Sequence, residues 1–334
     1  MNLLIVTNNP HRASFRQRIG VYLGILQANG IACKVAKLPS SLYSRQKLFK
    51  RAKDFDGVLL HKKGLNVIDG FWLRKYSKKI IYNFDDAVMY SDKRPDRNSR
   101  SHFIRFRRSV KLADMVIVGN SYLAERARRF NSNVKILPIG LEVGDYKPAY
   151  PPRDDNKIHL VWIGSKSTLS YLGAIKAALE EIGARFDNVV LRIICDDFFE
   201  LQNMQVEKRL WSKDSRAIDL AGCDIGLAPL PDNRFTRGKC SFKVLEYACA
   251  GLPVVASPIG TNSDHICDNV TGFLVTNTQE WIGRITQLIE DRELRKKMGQ
   301  EGRAYAEKFD VSVIGKQLTE LIIKCLWEPV ILRQ

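Results

Sequence analysis

Two stretches of the chain hold residue types at spacings that can do chemistry. The first is Arg237-Gly-Lys-Cys-Ser-Phe-Lys-Val-Leu-Glu246. A helix opening near Ser241, with Gly238 and Lys239 before it, offers free N–H groups, a positive dipole end and a cation, which together suit a phosphate. Lys243 falls in the first turn, and Glu246 follows three residues later on roughly the same face. A carboxylate there can accept two hydrogen bonds from a vicinal diol such as a ribose. The same spacing also fits a surface ion pair worth about 0.2–0.5 kcal/mol, and spacing alone does not choose. Neither Gly238-Lys239 nor Gly164-Ser-Lys-Ser-Thr168 completes a G-x-x-x-x-G-K-[ST] loop, so a P-loop nucleotidase is unsupported.

The second stretch is Tyr82-Asn-Phe-Asp85-Asp86, a strand ending in two carboxylates. The carboxyl end of a strand is the ligand edge of an open α/β sheet. Asp85 and Asp86 could bind sugar hydroxyls or orient a reacting hydroxyl; the competing expectation is helix capping and pairing with local arginines. Strand-end placement favours the first. Upstream, the loop Asn8-Asn-Pro-His11-Arg-Ala-Ser-Phe-Arg16-Gln-Arg18 follows the first strand. Arg16 could bind a phosphate or an acidic sugar, while His11 and Arg18 are expected at the surface.

The elements that must position these residues alternate. Leu3–Thr7, Cys33–Lys37, Val58–His61, Lys79–Phe84, Met115–Val118 and Val134–Leu137 read as strands. Phe15–Asn29, Ser44–Lys53, Val67–Ser77, Asn98–Leu112 and Tyr122–Phe130 read as the helices between them. Such alternation means βαβ units and a parallel sheet. Pro148, Pro151, Pro152 and Arg153-Asp-Asp-Asn156 read as a linker. The pattern then restarts with strands Ile158–Ile163, Val189–Ile194, Ile225–Ala228, Pro253–Ala256 and Gly272–Val275, helices Thr168–Phe186 and Ser241–Ala250, and two or three closing helices including Val311–Trp327. The expected fold class is α/β, with two Rossmann-like parallel-sheet domains, 1–150 and 151–310, facing across a ligand cleft, and a segment 311–334 packing back on the first.

Composition sharpens this division. The 334 residues carry 53 Lys+Arg against 36 Asp+Glu, a formal charge of +17. Residues 1–150 hold 29 basic and 11 acidic residues; the remainder holds 24 and 25, so the whole excess lies in the first half. Hydrophobic content of 45% excludes disordered and collagen-like chains. No run approaches the roughly 18 apolar residues of a membrane span, and Met1–Thr7 reads as a buried strand rather than a signal peptide. Seven scattered cysteines without C-x-x-C spacing predict buried free thiols in a reducing compartment. No D-x-D metal motif is present, and no metal site or cofactor is expected.

Glu246-Tyr-Ala-Cys-Ala-Gly-Leu-Pro-Val-Val-Ala-Ser, followed by Gly260 and Gly272-Phe-Leu-Val, resembles the C-terminal signature of family 4 (group 1) glycosyltransferases of the GT-B fold. Cys223-Asp-Ile-Gly-Leu-Ala-Pro-Leu230, Val118-Gly-Asn-Ser-Tyr-Leu-Ala124, Leu137-Pro-Ile-Gly-Leu-Glu142 and Trp162-Ile-Gly-Ser165 resemble other pieces of that family in the same order. The resemblance implies sugar transfer, with retention at the anomeric carbon, from a UDP-, GDP- or ADP-sugar to a lipid-linked or glycan acceptor in cell-surface polysaccharide or glycolipid synthesis. It places Glu246 on the donor ribose and puts Gly164, Ser165 and Lys166 at the family's cationic loop. Lys239, Lys243 and Ser241 are expected at the diphosphate, and His11 and Arg16 at the acceptor. The first glutamate of the family's E-x7-E pattern falls on Gly238. A catalytically degenerate nucleotide-sugar or glycan binding protein is the alternative.

Ser44–Lys53 and Arg97–Lys111 set cations around aromatic and aliphatic residues, as does Arg74-Lys-Tyr-Ser-Lys-Lys79. These suit an anionic membrane surface, which implies a cytoplasmic protein peripheral on the inner face of the cell membrane. Nucleic acid is the weaker partner, since no helix-turn-helix, RNP-like or zinc motif accompanies the charge.

Overall fold

The computed structural model describes residues 1–147 and 156–327. Pro148, Pro151, Pro152 and Arg153-Asp-Asp of the expected linker lie outside the described residues.

The chain divides into two compact units. The first comprises Met1–Leu141, the short insert Asn233–Cys240 and the final helix; the second comprises Glu142–Asp232 and Ser241–Asp310. The insert is a finding that the two-half division does not contain, because eight residues of the later sequence build part of the first unit.

In the first unit, β1 (Asn2–Thr7), β2 (Ala32–Lys37), β3 (Gly57–His61), β4 (Ile80–Phe84), β5 (Met115–Val118) and β6 (Val134–Ile136) form one sheet in the order β2-β1-β3-β4-β5-β6. Every pairing is parallel. β3 and β4 are buried along their whole length, as strands covered by helices on both faces must be. The covering helices are α1 (Ala13–Arg18), α2 (Leu23–Ala28), α3 (Leu42–Lys50), α4 (Val67–Tyr76), α5 (Arg100–Leu112) and α6 (Ser121–Arg128). Asn66 and Asn120 cap α4 and α6 by accepting from the third amide of each helix. The expected single helix Phe15–Asn29 is broken by a 3-10 turn at Gly20–Tyr22. Glycine favours such a break, having no side chain to pack in a helix.

In the second unit, β7 (Ile158–Ile163), β8 (Val189–Cys195), β9 (Gln205–Leu210), β10 (Ile225–Ala228), β11 (Val254–Ala256) and β12 (Gly272–Leu274) form a sheet in the order β12-β11-β10-β7-β8-β9. These pairings are parallel too. Its helices are α7 (Leu169–Gly173), α8 (Lys176–Arg185), α9 (Arg216–Ala221), α10 (Phe242–Cys249), α11 (Asn262–His265), α12 (Thr278–Glu290) and α13 (Arg292–Ala306). The expected helix Thr168–Phe186 is two pieces, interrupted at Ala174–Ile175. β9 and α9 complete the fold without having been expected.

The last helix, α14 (Val311–Trp327), belongs to the first unit. Ile314, Leu318, Ile322 and Cys325 join a buried cluster with Leu3, Ile5, Leu26 and Ile117. Gly315 permits this approach, since a Cβ there would stand 2.6 Å from Ile25 Cδ1. All seven cysteines are free; five are buried, Cys33 is half-buried and Cys267 is exposed, which corrects the expectation that all are buried. No helix among the described residues is long and apolar enough to cross a membrane.

Candidate functional site

In the second unit the chemistry gathers around α10. Its N-terminus opens at Ser241, whose backbone is left-handed at φ 47°. No side chain caps this end and no acidic residue lies in its first turn, so the positive end of the helix is uncompensated by carboxylate. The Ser241 hydroxyl is buried without a hydrogen-bond partner. Lys243 places its ammonium 4.2 Å from the centre of the Trp162 ring, a cation–π contact at the carboxyl end of β7.

Glu246, one turn further, is 5% exposed. Its Oε1 accepts from the Tyr146 hydroxyl at 2.9 Å, and Arg216 Nε lies 3.6 Å away. Arg216 also donates to Tyr146 Oη at 3.0 Å and approaches Asp145 at 3.7 Å. Burial pushes the Glu246 carboxyl up to about 7, against the pull of Arg216, Tyr146 and Lys243. Tyr146 and Arg216 were missed by sequence reasoning. Each lies about 30 residues or more from Glu246, and neither belongs to a recognisable motif.

The loop after β7 is arranged differently. A Cβ on Gly164 would stand 2.4 Å from the Trp162 ring, so the backbone there passes directly over the indole. Ser165 and Thr168 form a capping box on the next turn. Lys166 points outward, with its side chain 72% exposed and ion-paired to Asp197 at 3.0 Å.

In the first unit a second constellation gathers at the carboxyl ends of β3 and β4. Lys62, which follows β3 with φ at 55°, lies 3.2 Å from Asp85 and forms an ion pair with Asp86. Lys239, from the insert, approaches Asp86 at 3.5 Å. Burial alone would raise the Asp86 carboxyl, but Lys62 and Lys239 hold it below the usual carboxylate range. Asp85 is 8% exposed, and its backbone carbonyl accepts from Cys240 Sγ at 3.1 Å. Asp85 and Asp86 thus meet lysines rather than the local arginines.

Gly238, which the resemblance aligns with a glutamate, is buried against the same strand end. A Cβ would stand 2.8 Å from Ala87 Cβ and 2.9 Å from the Ala87 amide nitrogen, which leaves no room for a side chain. Lys239 therefore keeps company with Asp86 and, at 5.0 Å, with the Phe235 ring.

His11 and Arg16 are both exposed, on the loop after β1 and on α1. Arg18 is not: it is 1% exposed, which corrects the expectation of a surface residue. Its guanidinium donates to Asn83 Oδ1 at 3.2 Å and to the carbonyls of Leu137 and Pro138 at 2.7 and 3.0 Å. These acceptors lie at the ends of β4 and β6, and a five-donor fork is the group that can tie them together. Behind it, His61 bonds Thr7 through Nδ1 at 3.2 Å, and burial drives its imidazole down to about 4. Among the described residues no group of three or more histidine, cysteine or carboxylate side chains forms a candidate metal site.

The comparisons with known proteins agree with this architecture. Residues 238–305 match the family model described as glycosyl transferases group 1. An 86-residue stretch, 25% of the chain, is 31% identical to D-inositol 3-phosphate glycosyltransferase of Nocardia farcinica and spans 19% of that protein's length. Among solved structures, Anabaena HepE in complex with UDP and glucose superposes with a TM-score of 0.71 at 18% identity, covering 97% of this chain and 100% of that one. Sucrose-phosphate synthase from Thermosynechococcus elongatus gives 0.73 at 13% identity, covering 97% and 98%. The fold is therefore that of the GT-B glycosyltransferases, two six-stranded parallel α/β sheets in one chain.

Proposed function

We propose that the protein is a glycosyltransferase of group 1, family 4 type, that moves a sugar from a nucleotide-sugar donor to an acceptor bound on the first unit. One observation carries this most: Glu246 sits within the matched segment, half a helix from an uncapped N-terminus, with Lys243 between them. Oε1 is held by Tyr146, and in this proposal Oε2 is turned to the donor. A ribose diol would satisfy it, while the N-terminal turn of α10 and Lys243 take the diphosphate. Charge that builds on the departing diphosphate is then met by fixed dipoles and a cation, the usual source of electrostatic stabilisation. The bound UDP named for HepE supports a uridine donor.

Asp85 and Asp86 stand at the reacting centre in this proposal, on sugar or acceptor hydroxyls, with Lys62 fixing both carboxylates. Gly164, Ser165 and Lys166 line the donor side, and Lys239 adds a cation at the diphosphate. His11 and Arg16 meet the acceptor. Retention of anomeric configuration, a lipid-linked or glycan acceptor and a place in surface polysaccharide synthesis belong to the same proposal.

Attachment to an anionic inner membrane surface is supported by α4. Val67, Ile68 and Phe71 are 66%, 46% and 60% exposed beside Arg74, Lys75 and Arg108. Apolar side chains rimmed by cations suit the headgroup boundary of a bilayer.

The test is calorimetric titration of UDP-, GDP- and ADP-sugars into the wild type and Glu246→Ala. The expected outcome is binding of one nucleotide class, weakened about tenfold or more by the substitution. Unchanged affinity in Glu246→Ala would sink the ribose assignment. Binding without any sugar transfer or donor hydrolysis would favour the degenerate binding protein.

A further inference from the structure

A cavity of about 300 Å³ opens in the first unit beside Asp86, lined among others by Lys62, Lys63, Tyr90, Arg105 and Phe235. That is the lower end of small-molecule pockets, enough for one sugar ring. Its charges are unevenly spent. Lys62 is consumed by Asp85 and Asp86. Asp92, the other carboxylate on the wall, accepts from the Lys93 amide. Lys63 and Arg105 have no carboxylate within ion-pair distance among the described residues, although Lys63 is half-buried. Burial and the neighbouring Arg45 and Arg105 push the Lys63 ammonium down, against the weaker pull of Asp69.

This unfavourable pairing is built rather than incidental. Gly64 lets the loop after β3 lie directly on α5, since a Cβ there would stand 2.9 Å from Arg105 Cβ. Ser109 Oγ accepts from the Leu65 amide at 2.9 Å, and Arg108 donates to the Leu65 carbonyl at 2.9 Å. The loop is thus fastened to the helix with two like charges side by side. Tyr90, with Arg234 over its ring at 4.9 Å, and Phe235 give flat walls.

We infer that this cavity is a subsite for a phosphate group carried by the sugar acceptor, gripped by Lys63 and Arg105 while the sugar ring rests on Tyr90 and Phe235. Two cations without an ion-pair partner among the described residues, set against the one carboxylate of Asp92 on the wall, suit a phosphate monoester of charge about −2, and each ion-paired hydrogen bond it makes is of the stronger, charge-assisted kind. The inference rests on the transferase proposal only for the word acceptor.

The test titrates the full chain with glucose 6-phosphate, decyl phosphate, glucuronate and glucose by calorimetry at low and at physiological salt. At least one of the two phosphates should bind ten times tighter than glucose and glucuronate, and lose affinity with salt. Lys63→Gln and Arg105→Gln should each cut that affinity at least fivefold, whereas Glu246→Ala, in the other unit, should leave it unchanged. Binding of glucose 6-phosphate would mean a soluble phosphorylated acceptor, and binding of decyl phosphate alone a lipid-linked one. Arg105 is exposed, so its substitution tests the site without a folding penalty, with a melting curve as control. Equal affinity for all four compounds, phosphate binding that ignores both substitutions, or loss of binding in Glu246→Ala would overturn the inference. Phosphate binding with the expected losses, but no use of any nucleotide sugar, would sink the transferase proposal and leave the anion site standing.

Discussion

Glu246 is a carboxylate caught between two demands. Burial favours its neutral form, while the proposed ribose recognition needs the charged one. Its folded-state acidity is shifted up, from 4.5 to about 7, so protonation stabilises the fold fully below about pH 4.5 and that contribution is lost as pH rises to about 7. Glu246→Gln should therefore match the wild type in stability near pH 4 and exceed it near pH 8, by up to about 3 kcal/mol; denaturant titrations at the two values decide it. Donor affinity of the wild type should run the other way, rising between pH 6 and pH 8. Arg18 poses the opposite case, a buried cation whose worth lies in its acceptors. Arg18→Ala strands Asn83 and two carbonyls, and should cost about 3 kcal/mol or more, read as a lowered melting temperature. Gly238 is a third test of packing. Gly238→Glu, which introduces the carboxylate of the motif the chain resembles, should destabilise by about 1–3 kcal/mol and not raise activity, because Ala87 occupies the space. Asp85, Asp86, Glu246 and Lys243 were legible as candidates, as types at spacings. Arg18, Tyr146 and Arg216 were not, because their importance lies in partners 30 to 120 residues away that no local pattern reports.

Elements were legible where burial imposed a pattern. The central strands are apolar runs because helices cover both faces, and a run of that kind survives in sequence. β9 escaped because it lies at the sheet edge with the sequence Gln-Val-Glu-Lys-Arg-Leu, largely exposed; charge on an edge strand protects against pairing with another chain and hides the strand from view. α9 escaped because six residues give too little periodicity. The breaks in the two long expected helices follow tertiary packing, which overrides a continuous hydrophobic period. The basic helices of the first unit also resolve into inner and outer faces. Phe49 and Phe106 are core residues, whereas Phe103, Ile104 and the α4 trio face outward. If α4 docks on lipid, Phe71→Ser should reduce sedimentation with anionic vesicles several-fold at low salt. No sedimentation of the wild type would assign the exposed trio to something else.

For the whole molecule, the charge of +17 becomes a division of labour. Arg45, Lys62, Arg74 and Lys239 of the first unit are tied to its aspartates. Under the proposal, cations on α3 to α5 and around the cavity beside Asp86 would meet an acidic partner. In the proposed donor site of the second unit, Lys243 and an uncapped helix end would meet a small diphosphate. The two-sheet architecture was legible because the strand–helix alternation restarts after residue 157. The interleaving of Asn233–Cys240 with the first unit was not, since eight loop residues carry no signature of which sheet they join. The most direct test of the account is to incubate the purified protein with UDP-, GDP- and ADP-sugars and measure release of nucleoside diphosphate, in wild type and Glu246→Ala. The account predicts release from one nucleotide class, falling about tenfold or more with the substitution. Turnover of no nucleotide sugar, or release indifferent to Glu246, would contradict it.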